Sequence, residues 1–260
     1  MGHEGFYRLP EVYEIAFSYR DVARECDFLT DLYRSLVGTA PGAVLELACG
    51  PGDHVCEFAR RGVRVAALDL SAEMTAYLRA RLGDPTAEVV TGDMAAFTLA
   101  QPVDLAFTLI DSLPYLTTNE QLISHFRSVR AALNPGGVYV VELRHPSDIW
   151  FPGTDRATVN TWTMERGDMR VTTEWGASVS YDPIAQTERV LSRVTVEQGQ
   201  HRDVIETWGE LRPLLPQELL ALVELAGGWR FAGWWGEFDL NRRLGEDKRD
   251  WRMIVAFQTR

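Results

Sequence analysis

Val44-Leu45-Glu46-Leu47-Ala48-Cys49-Gly50-Pro51-Gly52 decides the fold of this 260-residue chain. The run from Ala43 to Cys49 is short and mostly apolar, the pattern of a buried parallel strand. Two glycines follow at once, and then Asp53 to Arg61, which reads as a helix with Gly62 as its C-cap. Glycine at such a turn allows a tight loop and lets backbone N–H groups approach a ligand closely.

Outward from this loop, strand and helix alternate. Before it, Val22, Cys26, Leu29, Tyr33 and Leu36 share one face of a helix over 20–37. After it come a second strand at Val63–Asp69 and a helix capped by Ser71 that runs to about Leu82. A third strand follows at Ala87–Thr91 and a fourth at Val103–Ile110. Asn119 is read as the cap of a helix bearing Leu122, Phe126, Val129 and Leu133. Asn134-Pro135-Gly136-Gly137 reads as a turn into a fifth strand, Val138–Leu143. This alternation predicts a doubly wound, mostly parallel sheet with helices on both faces.

After Arg144 the pattern changes. Residues 158–212 show partial two-residue alternation, with turn signals at Gly167-Asp168, Asp182-Pro183 and Gln198-Gly199, which predicts an inserted antiparallel β-meander. Helical spacing resumes at Pro216–Ala226, and two strands follow near Arg230–Trp235 and Arg252–Gln258. The sheet is thus expected to hold seven strands. The division expected is an N-terminal lid and helix at 1–42, a ligand-binding α/β domain at 43–143 and 214–260, and the β insertion at 144–213. All eight tryptophans lie at or beyond position 150, where they can build the core of a small sheet or an aromatic wall for a bulky or cationic substrate.

Composition narrows the function. The net charge is −11, and acidic residues outnumber arginines between 144 and 213, so no basic track for nucleic acid is evident. Lys248 is the only lysine, so a P-loop is excluded and Schiff-base chemistry is disfavoured. Cys26, Cys49 and Cys56 form no CxxC pair, and the five histidines form no metal-binding pattern. No apolar run is long enough to span a membrane, and the N-terminus lacks the pattern of a signal peptide. A reducing, cytoplasmic compartment is expected.

Two acidic residues sharpen the glycine loop. Asp69 ends the second strand, where a carboxylate can accept both hydroxyls of a ribose. Asp93 follows the third strand, where it can accept an adenine amino group. Each could instead be a helix cap or a turn residue. Together with the loop they mark one crevice at the carboxyl edge of the sheet. For a nicotinamide dinucleotide, GxGxxG is required, and Val55 stands where its third glycine would be.

These segments resemble the motifs of class I S-adenosylmethionine-dependent methyltransferases, the Rossmann-like methyltransferase fold. Residues 44–52 resemble their motif I, Ala67-Leu68-Asp69-Leu70-Ser71-Ala72-Glu73-Met74 their second motif, and Gly92-Asp93-Met94 their adenine motif. Asp111–Leu116 and Leu133–Gly137 fit as well. The resemblance covers about 12–143 and 216–258. It implies that Gly50 and Gly52 line the methionine moiety, with Glu46 supporting the loop. Asp69 would bind ribose beside Leu70 and Met74, and Asp93 and Met94 would read adenine. Ile110 and Asp111 would sit under the sulfonium. Arg20 could meet the cofactor carboxylate or an acidic substrate, or lie on the solvated face of its helix. S-adenosylhomocysteine would be the product.

Tyr13-Glu14 through Tyr19-Arg20-Asp21 resembles the YD…Y lid of small-molecule members, such as glycine and nucleotide-sugar amine N-methyltransferases, with Glu14 where aspartate is usual. The implied reaction is N- or O-methylation of a small-molecule acceptor, with Tyr13, Tyr115 and His145 as candidate catalytic residues. His145 is the candidate base because its ordinary pKa lies near neutrality. Arg212 is a weaker substrate candidate. A nicotinamide-dependent oxidoreductase and a non-catalytic S-adenosylmethionine-binding protein stay open as alternatives, as does a homodimer through the β insertion.

Overall fold

The computed structural model describes residues 5–145, 147, 160–245 and 250–260. Pro146, Trp150 and Lys248 lie outside them. The first five strands are β1 (Ala43–Leu47), β2 (Arg64–Asp69), β3 (Glu88–Thr91), β4 (Val103–Thr108) and β5 (Leu133–Arg144). With β10 (Trp229–Trp235) and β11 (Arg252–Thr259) they form one sheet in the order β10-β11-β5-β4-β1-β2-β3. β1 to β5 pair in parallel, and β11 runs antiparallel between β5 and β10. Seven strands, doubly wound, match the expected sheet.

The strands alternate their side chains between two cores. Leu45, Leu47, Ala66 and Leu68 face α5 (Asn119–Ala132) and α6 (Pro216–Ala226) through Leu122, Phe126, Leu219 and Leu222. Val44, Val65 and Ala67 face α2 (Val22–Val37) and α3 (Asp53–Arg60) through Leu29, Leu32, Val55 and Phe58. Burial on both faces explains why these strands read as continuous apolar runs. Strand order reverses between β1 and β4, where a ligand crevice opens at the carboxyl edge.

Two local readings are corrected. Thr118, not Asn119, caps α5: its hydroxyl accepts from Gln121 N, and Gln121 answers with its own side chain in a capping box. Asn134–Gly137, read as a turn, is carried into β5 as its irregular start, where pairing with β4 shifts register between Val103 and Leu105. A Cβ on Gly137 would press on the carbonyl of Asp104, so the strands approach closely there.

The inserted region forms a four-stranded antiparallel meander of β6 (Asn160–Arg166), β7 (Met169–Asp182), β8 (Thr187–Gln198) and β9 (His201–Leu211). Its turns fall at the three signals read from the sequence. Val171 and Val194 on its inner face pack against Phe6, Ile15, Ala16 and Phe17. Those four residues belong to a 3-10 turn at Gly5–Arg8 and to α1 (Pro10–Ala16) with its C-cap Phe17.

Most described tryptophans serve these cores. Trp162 and Trp175 pack edge-on to Phe17, while Trp229 and Trp235 lie in the seven-stranded sheet. No helix among the described residues is long and apolar enough to cross a membrane.

Candidate active site

A cavity of about 410 Å³ opens at the carboxyl ends of β1, β2 and β3, beneath the N-terminal segment. Gly50, Asp69, Leu70, Met74, Asp93 and Met94 line one part of it, with Ala48 and Gly92. Tyr7, Tyr13 and Tyr115 form another part, and Leu68, Ser112, Leu116, Thr117, Gln121 and Glu210 complete it. Eight of the residues singled out in the sequence therefore converge here: Tyr13, Gly50, Asp69, Leu70, Met74, Asp93, Met94 and Tyr115.

The glycine loop is held from below. Asp69 Oδ2 accepts Gly50 N at 2.7 Å, and Oδ1 accepts Ser71 N at 2.8 Å. Gly50 takes φ +53°, and Tyr13 Cε1 would lie 3.6 Å from a Cβ placed there, so the Tyr13 ring rests on the loop. Ala48, Ile110 and Asp111 also have positive φ, the first just after β1 and the others just after β4. Left-handed backbone at non-glycine residues costs about 1–3 kcal/mol each and concentrates at binding sites.

Several expected residues stand behind the cavity rather than in it. Gly52 caps α3 at φ +80°, and a Cβ there would collide with Leu78. Ile110 N donates to Glu142 Oε2 at 2.9 Å. Asp111 accepts Arg144 N at 3.1 Å and lies 2.7 Å from Arg144 Nε, while Arg144 reaches Glu188 of β8 at 2.5 Å. Burial raises the Asp111 carboxyl above its ordinary range, against the pull of Arg144.

Arg20 and Glu46 belong to a buried chain of charges. Glu46 meets His54 Nδ1 at 3.2 Å, and His54 Nε2 meets Glu25 at 2.6 Å. Glu25 and Glu142 each lie 2.8 Å from Arg20, and Glu142 also pairs with Arg252. Burial alone would lower the His54 pKa, but Glu46 and Glu25 outweigh it and raise it to about 9. Burial raises Glu46, whereas Arg20 and Arg252 overcome burial and lower Glu142. With both neighbours paired to it, Arg20 is committed inside the fold and does not line the cavity.

His145 is also outside the lining. Its N–H donates to Trp251 O at 3.3 Å, and its Nδ1 lies 2.8 Å from Ser147 Oγ. Arg212 is buried among Asn119, Glu218 and the carbonyl of Thr117.

Tyr7 is a lining residue that sequence reading missed. It sits in a four-residue turn ahead of the first periodic helix, where no spacing pattern marks it. Its hydroxyl lies 2.5 Å from that of Tyr115. Burial raises the pKa values of Tyr7, Tyr13 and Tyr115, and neighbouring phenols push Tyr7 and Tyr13 further up. All three therefore stay protonated at neutral pH and can orient a ligand without acting as bases.

The segment carrying Tyr7 and Tyr13 is tied down on two sides. Phe6 N donates to Thr207 Oγ1 at 3.0 Å, and Trp162 Nε1 donates to Ala16 O at 2.7 Å, both into the meander. Ser71 Oγ donates to Tyr7 O at 3.0 Å on the other side. Glu14 joins both sides, through Tyr77 of α4 (Ala72–Leu82) at 2.7 Å and Arg166 of β6 at 3.0 Å.

The described lining holds Asp69, Asp93 and Glu210 but no arginine or lysine. This charge set suits a ligand with hydroxyls, an amine and a cationic centre. It is poor for a pyrophosphate. Among the described residues no cluster could hold a metal ion.

Residues 44–137 match the family described as methyltransferase domain. The dTDP-3-amino-3,4,6-trideoxy-alpha-D-glucopyranose N,N-dimethyltransferase of Streptomyces venezuelae is 36% identical over 146 residues, covering 55% of this chain and 58% of that protein. Trans-aconitate 2-methyltransferase of Azoarcus sp. (strain BH72) is 30% identical over 184 residues, 66% of this chain and 69% of that one. The crystal structure of Streptomyces venezuelae DesVI superposes with a TM-score of 0.76 at 26% identity, covering 94% of this chain and 96% of that one. The chain spans 50–62% of the length of the first three curated relatives it matches.

Proposed function

This chain belongs to the S-adenosylmethionine-dependent methyltransferases, and from that premise we propose that it methylates an amine on a small, sugar-like acceptor. The observation that carries the reading is the convergence of Gly50, Asp69 and Asp93 with three protonated phenols in one cavity whose described lining holds no arginine or lysine. Relatives named as dTDP-amino-sugar N,N-dimethyltransferases support the amine. An acidic lining favours it over a polycarboxylate acceptor, which would require arginines.

The bound cofactor supplies an activated methyl group on a sulfonium. In this reading Asp69 holds the ribose hydroxyls, Asp93 and the Met94 backbone hold adenine, and Gly50 lets the methionine moiety approach the backbone. Ile110 and Asp111 shape the floor from beneath, while Glu46 and Gly52 support the loop from behind it.

Tyr7, Tyr13 and Tyr115 orient the acceptor and exclude water, which is the larger share of the work in an in-line displacement. The amine attacks as its free base, so no described side chain is assigned as general base.

Calorimetry with S-adenosylhomocysteine tests the cofactor, and mass spectrometry of dTDP-amino sugars incubated with S-adenosylmethionine tests the acceptor. Micromolar binding and stepwise methyl addition are expected. Absence of S-adenosylhomocysteine binding would overturn the assignment, and methylation of carboxylates but not amines would overturn the acceptor class.

A further inference from the structure

Gln121 lines the cavity from the first turn of α5, and its orientation is determined by the backbone. Its Oε1 accepts Thr117 N at 3.1 Å and Thr118 N at 3.2 Å. A flipped amide would set its NH₂ against two N–H donors, so the flip is chemically excluded. The Nε2 group is left as a pure donor. A fixed NH₂ group therefore stands at the cavity wall.

Its neighbours show which part of the ligand it meets. His125 lies one turn further along the same face of α5. The His125 Nδ1 is 2.8 Å from Met94 O, and Asp93 acts on its titration. The Gln121 end of α5 thus shares the cavity lining with Asp93 and Met94, one turn before the residue that meets the Met94 carbonyl. Asp93 is an acceptor and can serve only the amino group of adenine. The ring nitrogens beside that amino group are acceptors, and the one donor of the Met94 backbone can serve only one of them.

We propose that the Gln121 side-chain amide donates a hydrogen bond to a ring nitrogen of adenine, N1 or N7, making it a cofactor-specificity residue. This rests on the cofactor assignment above. The capping box then has two uses: one end of the side chain starts the helix, and the other reads the base.

Gln121→Glu is the sharpest variant. Glutamate also completes a Thr-x-x-Glu capping box, so the helix start is kept while the donor becomes an acceptor. By calorimetry the Kd of S-adenosylhomocysteine is expected to rise about tenfold or more, with the thermal midpoint of the free protein unchanged. Analogues with N1 or N7 replaced by C–H give a second reading without relying on the variant. One of them should bind wild-type protein weakly and lose its sensitivity to Gln121→Glu. Equal S-adenosylhomocysteine affinity in both proteins overturns the proposal. So does a variant whose only change is a higher acceptor KM, or two analogues that stay as sensitive as the parent ligand. If the wild-type protein fails to bind S-adenosylhomocysteine, the cofactor assignment falls first and this inference with it.

Discussion

Every residue of β1 is buried, whereas β9 is buried only at Thr207, Gly209 and Leu211, with exposed residues between them. The two sheets accordingly depend on different things. β1 lies between β2 and β4 and is covered by helices on both faces, so its position is set by the seven-stranded sheet itself. The meander is covered on one face only, at Val171 and Val194 by the N-terminal segment over the cavity and at Gly209 by Tyr115. The cofactor loop sits on a self-sufficient scaffold, and its roof is shared with a dependent one.

The largest test of this contrast is Phe6→Ala. Phe6 is fully buried between Tyr13, Trp175 and the meander. Its truncation should cost about 3–5 kcal/mol in urea unfolding and weaken S-adenosylhomocysteine binding as well. Unchanged ligand affinity would separate the roof from the meander and break the comparison.

Asp69→Ala probes the other side. Two charged hydrogen bonds to Gly50 N and Ser71 N disappear. Cofactor affinity should fall by about 3 kcal/mol, roughly a hundredfold, with the meander intact by circular dichroism. A loss below threefold would remove Asp69 from the binding site.

The buried charge chain sharpens the contrast through pH. The His54 pKa is raised from 6.5 to about 9, so the stability it contributes is complete below about pH 6.5 and is lost as pH climbs through about 9. Urea unfolding should show the seven-stranded sheet weakening across that window by up to about 3 kcal/mol. Histidine NMR should show the His54 ring doubly protonated at pH 7.5. A neutral ring there would refute the assignment.

The smallest effect is expected for His145→Ala. With the imidazole outside the cavity lining, methylation should keep its wild-type rate across pH. A selective loss at high or low pH would return it to the mechanism.

What could be read in the sequence follows the same division. β1, β2 and β4 were legible because burial on both faces leaves an uninterrupted apolar signature. Asp69 and Asp93 were legible because strand ends place them at the ligand edge whatever surrounds them. Arg20 and Glu46 stand out in the sequence as chemistry-bearing residues, but their partners Glu25, Glu142 and His54 lie on other elements, and no local pattern joins them. Tyr7 left no trace because a single 3-10 turn has no periodicity to detect. Gln121 does leave one: Thr118-Asn119-Glu120-Gln121 is a capping-box signature with Thr118, not Asn119, as the cap.

The shared roof has a consequence for how the molecule breathes. Phe6, Ile15 and Phe17 both close the cavity segment and fill the space beneath β7 and β8. A ligand that holds this segment shut also protects strands it never touches. Amide protons of Val171 and Val194 should exchange with solvent more slowly when the glycine loop is filled, and a protease should find the hairpin between them harder to open. Occupancy at one sheet is thereby written into the exchange clock of the other.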